Sequence, residues 1–188
     1  MQIILASKSS FRKRALEILG LKYTIIPSDF DEKSIREENP MLLAEKLAEA
    51  KARAIGDKNS DSLVIAGDLF VVFKGKIYEK PLSEEEAFEM LKTFSGNKID
   101  IIAGVAVYNS KTIEMLSTAK KYTVKFRELL DYEIKDYISR YPVLDISGSF
   151  EIDGLLRFAE SSTGHFPFLA AYPMNELILF LRKNGLKV

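Results

Sequence analysis

The sequence predicts an α/β protein with a mixed β-sheet flanked by helices. Three observations carry that expectation. Short apolar runs alternate with segments of helical period through the first half of the chain. The run "SLVIAGDLFVVF" is apolar almost without interruption, as in a strand covered on both faces. Two longer runs, around Ile99 to Tyr108 and Ile113 to Phe126, are joined by "NSKT" and read as an antiparallel hairpin.

Taken in order, Ile3 to Leu5 form a short strand, and Phe11, Leu16 and Leu19 mark a helix that stops at Gly20. "KYTIIPS" reads as a second strand and "DFDEKSIREEN" as a polar loop. After Pro40, the apolar positions Leu43, Leu47, Ala50 and Ala54 predict a helix to Gly56 that carries Lys46, Lys51 and Arg53. The long apolar strand follows, then a turn at "KGK" and a short second strand. "SEEEAFEMLKTF" begins with a capping serine and acids in the first turn, so a helix runs to Phe94. Helices over 130–139 and 173–183 flank a segment that reads as loop, "YPVLDISGSFEIDGLLRFAESSTGHFPFLAAYP".

With 188 residues, 47% of them hydrophobic, the chain can bury one sizeable core, and length favours a single domain over 1–188. Lys plus Arg and Asp plus Glu number 27 each, so no basic field holds a long nucleic acid. No apolar run has the length of a membrane span, and the start of the chain lacks the pattern of a secretory signal. The expected compartment is the cytoplasm. No cysteine is present and His165 is the one histidine, so a bound metal would be held by oxygen, which favours Mg²⁺ or Mn²⁺.

Several stretches could carry chemistry. A strand ending in "ASKSS" and running into a helix directs free N–H groups and the positive end of the helix dipole at its turn, which favours anions. Ser7, Ser9 and Ser10 add hydroxyls and Arg12 a planar fork for phosphate oxygens, although a serine cap before a basic helix face is also ordinary. Asp31 and Glu32 of "DFDEKS" offer cation ligands or a solvated loop. Asp68 interrupts the apolar strand, where a carboxylate needs a cation, a metal or a raised pKa. Lys80 precedes Pro81, which keeps its backbone extended. Asp145, Ser147, Ser149, Glu151 and Asp153 lie in a glycine-containing segment that could follow a small ligand or form two tight turns. His165 is expected to be a loop histidine with a backbone partner.

The order of the motifs is more specific than any one of them. "LASxS…R", "FDE", "LAEAKA", "AGD", "VVFKGKIYEKP", "SEEEAFEMLKTFSG", "LDISGSF" and "IDG" together resemble the Maf family of nucleotide pyrophosphatases from Ile3 to Leu181. The resemblance implies a curved mixed sheet with two lobes around a cleft, often in a homodimer. It also implies hydrolysis of nucleoside triphosphates between the α and β phosphates with a divalent cation. By position it assigns Ser7, Ser9 and Arg12 to phosphate binding. Glu32, Lys51 and Lys80 fall at charged positions of the family cleft, and Asp68 at its proton acceptor, with Glu32 and Asp68 as metal ligands. Phe11 stands where the family usually has arginine and Leu69 where it has threonine. "SGSF" resembles the branch acting on 7-methyl-GTP, while Ile146 and Asp153 replace the lysine and glutamine usual in the dTTP/UTP branch. Asp145 and Asp153 are thereby expected to contact the substrate, with Asp153 or Glu151 accepting hydrogen bonds from a guanine edge or balancing the charge of a methylated ring. The alternative reading is a non-catalytic nucleotide-binding regulator of division arrest.

Overall fold

Strand β3, Ser62–Phe73, organises the protein. Its side chains alternate between two buried faces, so nearly every position must be apolar, which explains the unbroken run in the sequence. The computed structural model describes residues 1–164 and 172–188. Its sheet has the strand order β2-β1-β3-β5-β6-β7, with β4 paired to β3. The added strands are β1 (Gln2–Leu5), β2 (Thr24–Ile25), β4 (Lys76–Tyr78), β5 (Lys98–Asn109), β6 (Glu114–Phe126) and β7 (Ala159–Gly164). β1 runs parallel to both β2 and β3, whereas β4 is antiparallel to β3 and β7 to β6, so the sheet is mixed as expected. β5 and β6 are neighbours across the turn 110–113, a connection too short for anything but a hairpin.

The chain divides into two units, and β3, β5 and β6 each contribute to both. The first unit holds the described residues 1–69, 103–120 and 172–188. One face of its sheet, with Leu5, Leu63, Ile65, Val105 and Val107, packs on α1 (Ser10–Ile18) and α6 (Met174–Lys183) through Ala15, Leu16, Leu177 and Leu181. The opposite face, with Ile4, Val64, Ala66, Ala106 and Tyr108, packs on α2 (Pro40–Gly56) through Ala48, Ala52 and Ile55. The covered stripe of α2 is Ala44, Leu47, Ala48, Lys51, Ala52 and Ile55, rotated from the predicted Leu43, Leu47, Ala50 and Ala54. Small alanines let the helix approach the sheet closely, and the rotation turns Lys51 inward.

The second unit, Phe70–Ile102 and Lys121–Gly164, is centred on rings. Phe94, at the end of α3 (Glu84–Phe94), makes edge contacts with Phe73, Tyr78, Phe126 and Phe150 at centroid separations of 4.9 to 6.2 Å. The cap of α3 is the predicted one: the Ser83 hydroxyl accepts from the Glu86 N–H at 3.2 Å. α4 (Asp131–Arg140) starts at Leu130, whose side chain has no acceptor. Glu133 instead reaches back to the Leu130 N–H at 3.0 Å. Within the segment expected to be loop, the structure adds α5 (Ile152–Phe158) and the exposed strand β7. His165 lies outside the described residues. Among the described residues no helix is long and apolar enough to cross a membrane.

Candidate functional site

The N-terminus of α1 is tied down by its own serines. Ser9 caps the helix, its hydroxyl accepting from the Arg12 N–H, and the Ser9 N–H donates to the Ser7 hydroxyl at 3.2 Å. The Arg12 guanidinium folds back and donates from Nη1 to the same Ser7 hydroxyl at 3.2 Å. Free N–H groups, a hydroxyl and a cation therefore share one turn.

Asp68 and Lys51 meet because the inward stripe of α2 lies over β3. Lys51 Nζ donates to Asp68 Oδ1 at 2.6 Å and lies 2.9 Å from Glu32 Oε1. The Lys51 and Asp68 side chains are 11% and 9% exposed, while Glu32 is 54% exposed, so the pair is buried and its third member faces solvent. Asp31 sets the loop that carries Glu32: its carboxylate accepts from the Lys33 N–H at 3.1 Å and starts a 3₁₀ turn over Glu32–Ser34. Burial raises the Asp68 carboxyl above its ordinary range. The Lys51 and Arg12 charges oppose that shift without cancelling it, and Glu32 adds to it. Among the described residues Asp68 Oδ2 is buried without a hydrogen-bond partner, as is Arg12 Nε.

The sequence-predicted residues thus fall into two sets. Ser7, Ser9, Arg12, Glu32, Lys51 and Asp68 belong to the first unit, where contacts link the serines to Arg12 and Lys51 to both acids. Lys80, Asp145 and Asp153 belong to the second. Lys80 is exposed just after β4, and Asp145 is exposed at the end of a 3₁₀ turn. Asp153 lies in the first turn of α5. The Gly148 N–H donates to the Glu79 carbonyl at 3.1 Å, which ties the 145–153 segment to the strand end bearing Lys80. Burial, and Asp153 nearby, raise the Glu151 carboxyl. Among the described residues no three His, Cys, Asp or Glu side chains form a metal cluster.

Sequence reasoning missed Tyr172. Its ring is fully buried 5.7 Å from the Arg12 guanidinium carbon, and its hydroxyl has no partner among the described residues. The signal available, a tyrosine ahead of a helix-starting proline, does not distinguish it from a loop residue.

Residues 2–184 match the family described as Maf-like protein. The chain is 34% identical over 189 residues to the 7-methyl-GTP pyrophosphatase of Aliivibrio fischeri, covering all of this chain and 98% of that one. It is 35% identical over 191 residues to the dTTP/UTP pyrophosphatase of Clostridium botulinum, covering 99% of this chain and 98% of that one. In fold it is similar to the Ham1 protein of Staphylococcus aureus, with a TM-score of 0.55 over 98% of this chain and 100% of the other at 17% identity. The buried Asp68, Lys51 and the serine-capped turn before Arg12 are therefore features of a chain that belongs to the Maf family of nucleoside triphosphate pyrophosphatases.

Proposed function

We propose that this protein hydrolyses a 7-methyl-GTP-like nucleoside triphosphate between its α and β phosphates, releasing the monophosphate and pyrophosphate, with Asp68 as the base. The observation that carries the reading is the buried Asp68 carboxylate, held through one oxygen by Lys51 while the other has no partner among the described residues. A carboxylate raised by burial is a better proton acceptor than an exposed one, and Oδ2 is the atom left to take a proton from the attacking water. Lys51 keeps Asp68 oriented. The α1 N-terminus, Ser7 and Arg12 suit phosphate oxygens.

The solvent-facing Glu32, 2.9 Å from the lysine that holds Asp68, fits a divalent cation of the kind held by one or two carboxylates plus substrate phosphates. When bound, such an ion neutralises charge on the phosphates and on the departing pyrophosphate. Glu151 and Asp153 support the methylated guanine over a pyrimidine. A guanine edge presents two adjacent donors to a carboxylate, whereas thymine and uracil flank a single N–H with carbonyls that repel it.

The test is a panel of 7-methyl-GTP, GTP, dTTP and UTP with Mg²⁺ or Mn²⁺, scored separately for pyrophosphate and orthophosphate. The expected result is pyrophosphate release that is greatest with 7-methyl-GTP, abolished by EDTA and restored by either metal. Preference for dTTP or UTP would move the chain to the other branch. Orthophosphate as the product would make it a plain phosphatase, and binding without turnover would make it a regulator.

A further inference from the structure

We infer that Tyr172 is a positioning residue for Arg12: its buried ring holds the guanidinium beside the N-terminus of α1, in a clearance that Gly67 leaves on β3. The inference deepens the reading above, and only its polyphosphate arm rests on that reading.

The guanidinium carbon of Arg12 lies 5.7 Å from the centroid of the Tyr172 ring, within range of the attraction between a cation and a ring face. Little else holds it. Among the described residues its side chain makes one hydrogen bond, from Nη1 to Ser7, and Nε is buried with no partner. No carboxylate pairs with Arg12 among the described ion pairs. A long side chain anchored at one atom keeps much rotamer freedom unless a rigid surface removes it.

Tyr172 is such a surface. It is fully buried in the cluster formed by Leu5, Ala15, Leu16, Val105, Leu177 and Leu181, so α1, α6 and the sheet all fix its ring. The ring also lies against the backbone of β3: a Cβ added at Gly67 would overlap it and come within 2.8 Å of the Gly104 carbonyl oxygen. Residue 67 directly precedes Asp68, so one ring spans the space between the strand that carries the acid and the helix that carries the arginine. Arg12 also pulls the Asp68 carboxyl downward, which places its charge within reach of that acid. The Tyr172 hydroxyl has no partner among the described residues and burial pushes it up to about 12, so near neutral pH the ring remains a neutral phenol. What acts on Arg12 is therefore the ring face, and a phenylalanine should serve as well.

Two measurements on the full chain test this. In ¹⁵N spectra of arginine Nε–H groups, Arg12, identified by its loss in Arg12→Ala, should be displaced by the ring current and slow to exchange. Tyr172→Leu should return it to the position of exposed arginines, and Tyr172→Phe should restore the displacement. In calorimetry with tripolyphosphate and Mg²⁺, Tyr172→Leu should weaken binding about tenfold, the scale of one desolvated cation–ring contact. The same change in an Arg12→Ala background should cost less than about twofold, because a residue acting through Arg12 has nothing left to act on. Tyr172→Met, which keeps more of the ring's volume without its face, repeats both measurements should Tyr172→Leu fail to fold. An unchanged Arg12 signal in Tyr172→Leu, or equal weakening with and without Arg12, overturns the inference. If the spectra behave as expected but the parent does not bind tripolyphosphate, the positioning stands and the polyphosphate reading falls.

Discussion

Asp68 is the proposed base as well as a buried partner of Lys51, and changing one of its atoms separates the proposed role from the structural one. Asp68→Asn keeps the shape and can still accept from Lys51, but it loses the proton affinity a base requires. Turnover should drop by about two to four orders of magnitude. Nucleotide affinity should hold or improve, since a negative charge near a polyphosphate is gone. Single-turnover pyrophosphate release beside calorimetric binding checks both, and near-parent turnover returns Asp68 to the status of a buried structural carboxylate. This residue was legible in the sequence because a charge within an apolar run has few explanations. From residue pattern Lys51 was legible as a cation on a helix, and the family resemblance alone placed it at a charged position of the cleft. Its inward direction depends on the rotation of α2, which the small residues Ala44, Ala48 and Ala52 allow and an apolar count misjudges by one position. Tyr172 was not legible, because its partners Arg12 and Gly67 lie far from it in the chain.

Among the elements, α4 depends on Glu133 more than its length suggests. The carboxylate accepts from both terminal nitrogens of Arg127, at 2.9 and 2.6 Å, and also from the Leu130 N–H at the helix start. These bonds hold the Glu133 carboxyl down at about 2, the Arg127 hydrogen bonds first among them. A carboxyl lower in the folded than in the unfolded chain stabilises the fold above its unfolded pKa and loses that contribution as pH falls through the folded value. Glu133→Gln should therefore cost about 1 kcal/mol near neutral pH, discounted because Arg127 is 38% exposed. The difference from the parent in melting experiments should shrink between the ordinary glutamate value of 4.5 and about 2. A gap that persists at the acid end would remove the ion pair as its cause. The sequence announced α3 through Ser83 and its acids, but it was silent on α5 and β7. α5 is seven residues long with no side-chain cap, and it contains Gly154. β7, "AESSTG", is exposed and joined to β6 by backbone pairing, so no apolar alternation reports it. β2 shrank to two residues for a similar reason, both of them exposed.

At the scale of the molecule, the alternation of strands and helices and the long hairpin made the α/β class readable in advance. The division into two units was suggested only by the family resemblance, because β3 and β5 stay apolar across residues 69/70 and 102/103 and β6 runs without a break through Lys120 and Lys121. The lysine shared by Asp68 and Glu32 has a kinetic consequence. With both acids ionised, Arg12 and Lys51 are balanced by two carboxylates, and the chain as a whole carries 27 cationic and 27 anionic side chains. Such a protein presents almost no long-range field to an approaching polyanion, so ligands arrive by unassisted diffusion and are retained by short-range bonds. The association rate of a triphosphate, measured by stopped flow, should change by less than about threefold between 20 and 200 mM salt, where a steered encounter would slow steeply. Glu32→Gln, which unbalances the set by one positive charge, should introduce a salt dependence that the parent lacks. A steep dependence in the parent would mean that the carboxylates leave Lys51 before the ligand arrives. Capture by this protein would then be driven by the ligand rather than awaited by a neutral, preassembled site.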